Sequence, residues 1–207
     1  MDRLSVPPQE FRRLASHAVD VTARYLDRLS ELPSFPPTTH DDVRAAFDRP
    51  LPERGLGAAA LDDLEIVLRH SRPCGPAFFG YVLGSGEPVA AVADLVASVL
   101  NQNVTAWRSG PAAVTIERTV VRWLAEAIGC EDFAGSFTGG GSMANLMALA
   151  MARGTSPTGT LYASAEAHMS IPKAAALLGL GYDAVRAVAV DASFRMVPEA
   201  LDRAIRE

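Results

Sequence analysis

The sequence predicts an α/β protein in which an N-terminal helical segment precedes an incomplete parallel sheet. Two observations carry this. Before residue 130, apolar residues recur at helical spacing in segments separated by proline and glycine breaks. After it, glycine-rich turns separate short apolar strands from helices, the alternation that builds parallel sheets with crossover helices. With 49% hydrophobic and 21% charged residues in 207, the balance is that of an ordinary globular chain with a sizeable core.

The elements follow in order. Residues 9–31 form an amphipathic helix, with Phe11, Leu14, Ala18, Val21, Tyr25 and Leu29 on one face, stopped by Pro33, Pro36 and Pro37. A short helix spans about 40–48, with Asp41 and Asp42 suited to its first turn, and Pro50 and Pro52 end it. Residues 57–70 form another helix, with Leu61, Leu64, Val67 and Leu68 on one face. Residues 71–88 are irregular, but Phe78, Phe79 and Tyr81 among glycines and prolines mark an ordered loop rather than a linker. A strongly apolar helix covers 88–101, through Val89, Val92, Leu95, Val96, Val99 and Leu100. The next runs from Pro111 to about 128, before Gly129, and buries Ile116, Val120, Trp123, Leu124 and Ile128. Then come helix 142–152, strand 160–164, helix 171–178 with Pro172 in its first turn, strand 184–190 and a last helix from 197. Two strands and three helices fall short of a finished doubly wound sheet and leave the last strand an uncovered edge. The expected organisation is a helical segment over 1–86 and the first part of a larger domain over 87–207.

The net charge is -5 and the basic residues form no cluster, which argues against nucleic acid as a partner. No apolar run reaches the roughly 18 residues a membrane span needs, and the N-terminus lacks a signal-peptide core, so a cytoplasmic location is expected. Cys74 and Cys130 read as reduced structural residues, and His17, His40, His70 and His168 have no metal-binding spacing. Lys173 is the single lysine; the remaining basic residues are arginines.

The strongest chemical signal is Thr138-Gly139-Gly140-Gly141-Ser142-Met143-Ala144-Asn145-Leu146. Glycine admits a ligand close to the backbone, a helix start offers unpaired N–H groups, and a serine adds a donor, which together suit a phosphate. It matches neither the P-loop nor the dinucleotide spacing. On local pattern alone a plain turn capped by Ser142 explains it equally well. The second signal is His168, just past the end of a predicted parallel strand, where open sheets bind ligands. It could stack on a flat ring or handle a proton, although an isolated histidine there is more often a hydrogen-bonded helix-start residue. Lys173, within Pro-Lys-Ala-Ala-Ala, reads as an exposed helix lysine rather than a Schiff-base residue. Trp107, Phe78, Phe79 and Tyr81 could line a cleft, but local sequence favours core packing for each.

Taken in order, Phe78-Phe79-Gly80-Tyr81, Trp107 with Ser109-Gly110-Pro111-Ala112, Glu117, Trp123-Leu124, the glycine-serine turn with Asn145, and Ala167-His168-x-Ser170 with Lys173-Ala174 make a constellation. It resembles the group II pyridoxal-phosphate decarboxylases, among them the aromatic-amino-acid, glutamate, histidine and diaminobutyrate enzymes, over nearly the whole chain. The resemblance implies a fold-type-I architecture, with the N-terminal helical segment packed on the partner subunit of a homodimer. It implies pyridoxal 5'-phosphate held at its phosphate by Gly141 and Ser142, with His168 stacked on the pyridine ring as the catalytic side chain. It places Tyr81 and the Gly84-Ser85 loop near the active site and Trp107 on the substrate side. Gly75-Pro76 stands where many members have His-Pro, and Gly84 where aromatic-type members have threonine. The family's aspartate for the pyridine nitrogen and its Schiff-base lysine belong to later segments, so the 207 residues are expected to be a truncated chain without turnover of its own.

The expected reaction is decarboxylation of an L-amino acid, an aromatic one favoured, to the amine. A second reading is a non-catalytic module that binds phosphate or pairs with a homologous subunit. A different fold-type-I lyase or aminotransferase is disfavoured by the block from Phe78 to Trp107. The uncovered strand edge and apolar helix faces are expected to make the isolated chain associate.

Overall fold

A computed structural model describes residues 6–76, 78–81, 84 and 86–207. The chain divides into two compact units, Met1–Val99 and Leu100–Glu207.

In the first unit, α1 (Pro8–Asp27) opens on a proline, whose missing N–H costs nothing at that position. It ends four residues before the predicted 31. Leu29 N–H bonds Leu26 O and Glu31 N–H bonds Arg28 O, so the chain tightens into turns ahead of Pro33. Val21 is buried, and Arg24 pairs with Glu65 at 2.7 Å. Helix α2 (His40–Phe47) starts with a capping box: Asp42 N–H donates to Thr39 Oγ1 at 3.2 Å and Thr39 N–H to Asp42 Oδ2 at 2.8 Å. The Thr39 hydroxyl, donating to the same carboxylate, holds Asp42 below the usual carboxylate range.

The single helix expected over 57–70 is divided. A 3-10 turn covers Gly57–Leu61 and α3 covers Leu64–His70. Asp62 N–H bonds back three residues to Ala59 O, closing the 3-10 turn, and the Asp63 carboxylate pairs with Arg49 at the start of α3. The described part of the following loop packs on the turn after α1. A Cβ on Gly75 would lie 2.8 Å from Leu29 O, which explains why a larger residue is missing there. Helix α4 (Pro88–Leu100) has no buried residue; Val89, Val92, Val96 and Val99 are all exposed.

In the second unit, α5 (Pro111–Ala127) buries Val114 and Ala125. Ile116, Trp123, Leu124 and Ile128, expected on the buried face, are exposed instead. The inward stripe runs through Val114, Glu117, Val121 and Ala125, because Glu117 is drawn in by a hydrogen bond to the loop that follows. Then come α6 (Gly141–Arg153), β1 (Leu161–Ser164), α7 (Ser170–Leu177), β2 (Val185–Val188) and α8 (Pro198–Arg206). The strands pair in parallel, from Leu161 with Val185 to Ser164 with Val188. Ala174 and Ala175 on the crossover helix and Val188 on the sheet form the small core. Helix α8 is tied to β2 by Arg186 Nη1 donating to Ala204 O at 2.9 Å. Beyond β2, Asp191 accepts from the backbone of Arg195 and Ser193, and these bonds, with the Arg195 side chain, hold its carboxyl below the ordinary range. The α/β class with an incomplete parallel sheet is therefore as the strand–helix alternation required. Among the described residues no helix is long and apolar enough to cross a membrane.

Candidate functional site

The glycine turn is held from below. Gly135 packs so closely on α5 that a Cβ there would meet Val121 Cγ1 at 3.1 Å, and Phe137 N–H donates to Glu117 Oε1 at 3.1 Å. Thr138 Oγ1 then bonds Gly140 O at 3.0 Å. Gly140, not Ser142, is the N-cap, at φ 128 and ψ 167, a conformation that belongs to glycine. Ser142 thus sits at the second helical position, exposed. Among the described residues no group takes the Gly141 N–H, the Ser142 N–H or the Ser142 hydroxyl.

Gly139 and Gly141 present a sharper fact. Neither has a positive φ, and a Cβ on either would meet no atom within 4 Å. The chain's own conformation and packing do not ask for glycine at these two positions. Glycine there leaves the backbone open to close approach. Free donors, an open cradle and the positive end of a 13-residue helix fit a phosphate group.

His168 lies beyond the C-terminal end of β1. Ala165 N–H continues the ladder to Val188 O at 2.8 Å, Ala167 N–H closes a turn onto Ser164 O at 2.8 Å, and the His168 carbonyl accepts from Ile171 N–H at 3.0 Å. The ring is exposed. Its Nδ1 is 2.8 Å from Ser170 Oγ and accepts from Ser170 N–H at 3.1 Å. Asn145 Nδ2 donates to the same Ser170 Oγ at 2.7 Å, and Ser170 is only 4% exposed.

That bond ties the fifth residue of α6 to the first residue of α7. At the far ends, Arg153 Nη1 donates to Leu178 O at 2.5 Å. The two helices therefore run side by side in one direction, and the free N–H groups of α6 and the ring of His168 share one end of the pair. Gly141, Ser142 and His168 are brought together in this sense. Sequence reasoning quoted Asn145 and Ser170 without giving them a role. The available signal was two polar residues at the starts of otherwise apolar helices.

The other expected residues have their own surroundings. Trp107 is in the second unit, exposed, with Nε1 donating to Thr115 Oγ1 at 3.2 Å on the first turn of α5. Tyr81 is in the first unit, at φ 59, and the Arg72 guanidinium lies 4.4 Å from the Phe35 ring centre and 4.8 Å from that of Tyr81. Ser85 lies outside the described residues. Lys173 is exposed on α7. The first unit also holds a cavity of about 670 Å³ walled by α1, α3 and the proline segment. Its Arg24 is already paired with Glu65 and it has no open glycine backbone, so it lacks the features of the α6 turn.

Residues 45–207 match the family described as the pyridoxal-dependent decarboxylase conserved domain. The chain is 31% identical, over its whole length, to an aromatic-L-amino-acid decarboxylase of Bacillus atrophaeus, of which it covers 45%. It is 34% identical over 92% of its length to an L-2,4-diaminobutyrate decarboxylase of Rhizobium meliloti, covering 40% of that protein. Among solved structures, mouse CSAD in apo form superposes with a TM-score of 0.86 at 26% identity, covering 97% of this chain and 46% of that one. The chain thus spans less than half the length of these relatives.

Proposed function

The chain belongs to the pyridoxal-dependent decarboxylase family, and from that premise we propose that it supplies the phosphate grip and the ring-facing histidine of an L-amino-acid carboxy-lyase. The observation that carries the reading is the open glycine cradle of α6, whose free donors share an end with His168. The family's cofactor is pyridoxal 5'-phosphate, which when bound supplies the electron sink through which an amino acid sheds its carboxylate as CO2.

Gly141 and Ser142 hold the phosphate in this reading, by backbone N–H and hydroxyl, in charge-assisted bonds strengthened by the helix end. His168 lies against the pyridine ring and keeps water from that face. Trp107 lines the substrate side, Tyr81 approaches the active site of the partner subunit, and an aromatic amino acid is the favoured substrate. The relative covered over the whole chain, an aromatic-L-amino-acid decarboxylase, supports the same preference. A homodimer is the working form, and the exposed apolar surface of α4 supports it. Lys173 is given no part in the chemistry, because it sits exposed on α7. Residues 1–207 by themselves bind the cofactor without turnover.

The test compares pyridoxal 5'-phosphate with pyridoxal, which lacks the phosphate, by equilibrium dialysis. Hydrogen bonds to a charged group are worth about 1.5–3 kcal/mol each, so the phosphate should improve affinity by at least about tenfold. Ser142→Asp should erase the difference. Equal affinities for the two compounds in the unaltered chain would refute the reading.

A further inference from the structure

The hydrogen bonds around His168 have a direction, and one group fixes it. A backbone N–H can only donate. Ser170 N–H points at His168 Nδ1, at 3.1 Å, so Nδ1 is an acceptor and carries no proton. The Ser170 hydroxyl, 2.8 Å from the same nitrogen, must then turn its O–H toward the ring. That leaves the hydroxyl oxygen's lone pairs facing Asn145, whose Nδ2 donates at 2.7 Å. Each bond agrees with the next, from amide to hydroxyl to imidazole.

We propose that Asn145 and Ser170 are positioning residues that lock His168 in the tautomer with its proton on Nε2. Burial supports this. Ser170 is 4% exposed, so water cannot easily replace either of its side-chain bonds, and an opposed donor pair there would cost an unsatisfied buried group. The other end of the ring is open. His168 is exposed, and among the described residues nothing takes Nε2. The proton is thus offered outward, and His168 meets a ligand as a hydrogen-bond donor at Nε2 and not as a base there. The consequence for decarboxylation rests on the functional reading above; the tautomer itself does not.

The test is nitrogen NMR of the unliganded chain with labelled histidine, at about pH 8, above the ordinary imidazole range. The His168 signals should show an unprotonated Nδ1 and a protonated Nε2. Asn145→Asp keeps the shape but replaces the donor by an acceptor. The Ser170 hydroxyl should turn to the new carboxylate and leave Nδ1 with the Ser170 N–H as its one donor, so the Nδ1 resonance should stay in the unprotonated range and move toward that of a less strongly hydrogen-bonded nitrogen. Ser170→Ala should move it the same way, and Ser170→Thr should restore the original pattern. A protonated Nδ1 in the unaltered chain would overturn the proposal, as would a pattern unmoved by both Asn145→Asp and Ser170→Ala. The signature needs no cofactor, so it can hold even if the dialysis comparison fails, and the two failures remain distinguishable.

Discussion

Alanine in place of glycine at 139, 140 and 141 should separate folding from binding. Gly140 sits at φ 128 and ψ 167, which an L-residue with a Cβ adopts at a cost of about 1–3 kcal/mol, so Gly140→Ala should destabilise the second unit by that amount. Gly141 is different. It is the first residue of α6, has no positive φ, and its added Cβ would touch nothing within 4 Å. Removing glycine's freedom from the unfolded chain should then stabilise by about 0.4–1 kcal/mol. The same methyl group would stand where the phosphate approaches the Gly141 N–H. Losing one bond to a charged group, about 1.5–3 kcal/mol, lowers affinity for pyridoxal 5'-phosphate by roughly 10–100-fold. Urea unfolding followed by circular dichroism reads the first quantity and equilibrium dialysis the second. Gly141→Ala should be at least as stable as the original and bind worse. If it binds normally, or if stability and binding fall together, the reasoning that a ligand and not the fold demands glycine there is wrong.

Three further outcomes follow from the packing and charge. Val188, 2% exposed in the sheet core, should lose about 2 kcal/mol of stability on Val188→Ala, whereas Leu177→Ala on the exposed face of α7 should stay within about 0.5 kcal/mol; urea midpoints check both. The Asp191 carboxyl is held low in the folded state, so its charge contributes stability above the ordinary carboxylate value and the contribution disappears as pH falls through the folded one; Asp191→Asn should therefore be less stable at neutral pH and equal to the original in acid. The exposed valines of α4 should make the chain self-associate, and Val92→Glu with Val96→Lys should lower the weight-average mass in sedimentation.

The helices were legible where apolar period and caps agreed. Pro111 marked the start of α5, and the two parallel strands follow from apolar runs between glycine turns; Pro8, Pro88 and Pro198 open α1, α4 and α8 in the same way. The errors have local causes. Between Gly57 and His70 the backbone bonds switch to three-residue spacing at Asp62, which an apolar face drawn from Leu61 to Leu68 does not reveal. On α5 the apolar residues outnumber those the unit can bury, and Glu117, a polar residue, took an inward position because it holds the Phe137 amide. The glycine-serine turn was visible as a pattern, but only backbone angles and empty space separate Gly140, required by the turn, from Gly139 and Gly141, required by neither. The Asn145–Ser170–His168 chain spans 25 residues and needs the side-by-side placement of α6 and α7, which no local spacing encodes.

The most direct measurement follows the backbone amide signals of Gly141 and Ser142 in a proton–nitrogen spectrum as pyridoxal 5'-phosphate is added. If the α6 start grips the phosphate, these two amides shift downfield together and saturate with the affinity found by dialysis, and pyridoxal leaves them in place. Unmoved Gly141 and Ser142 amides, with the changes instead at the arginine-walled cavity around Arg24, Arg28 and Arg69, would contradict the account.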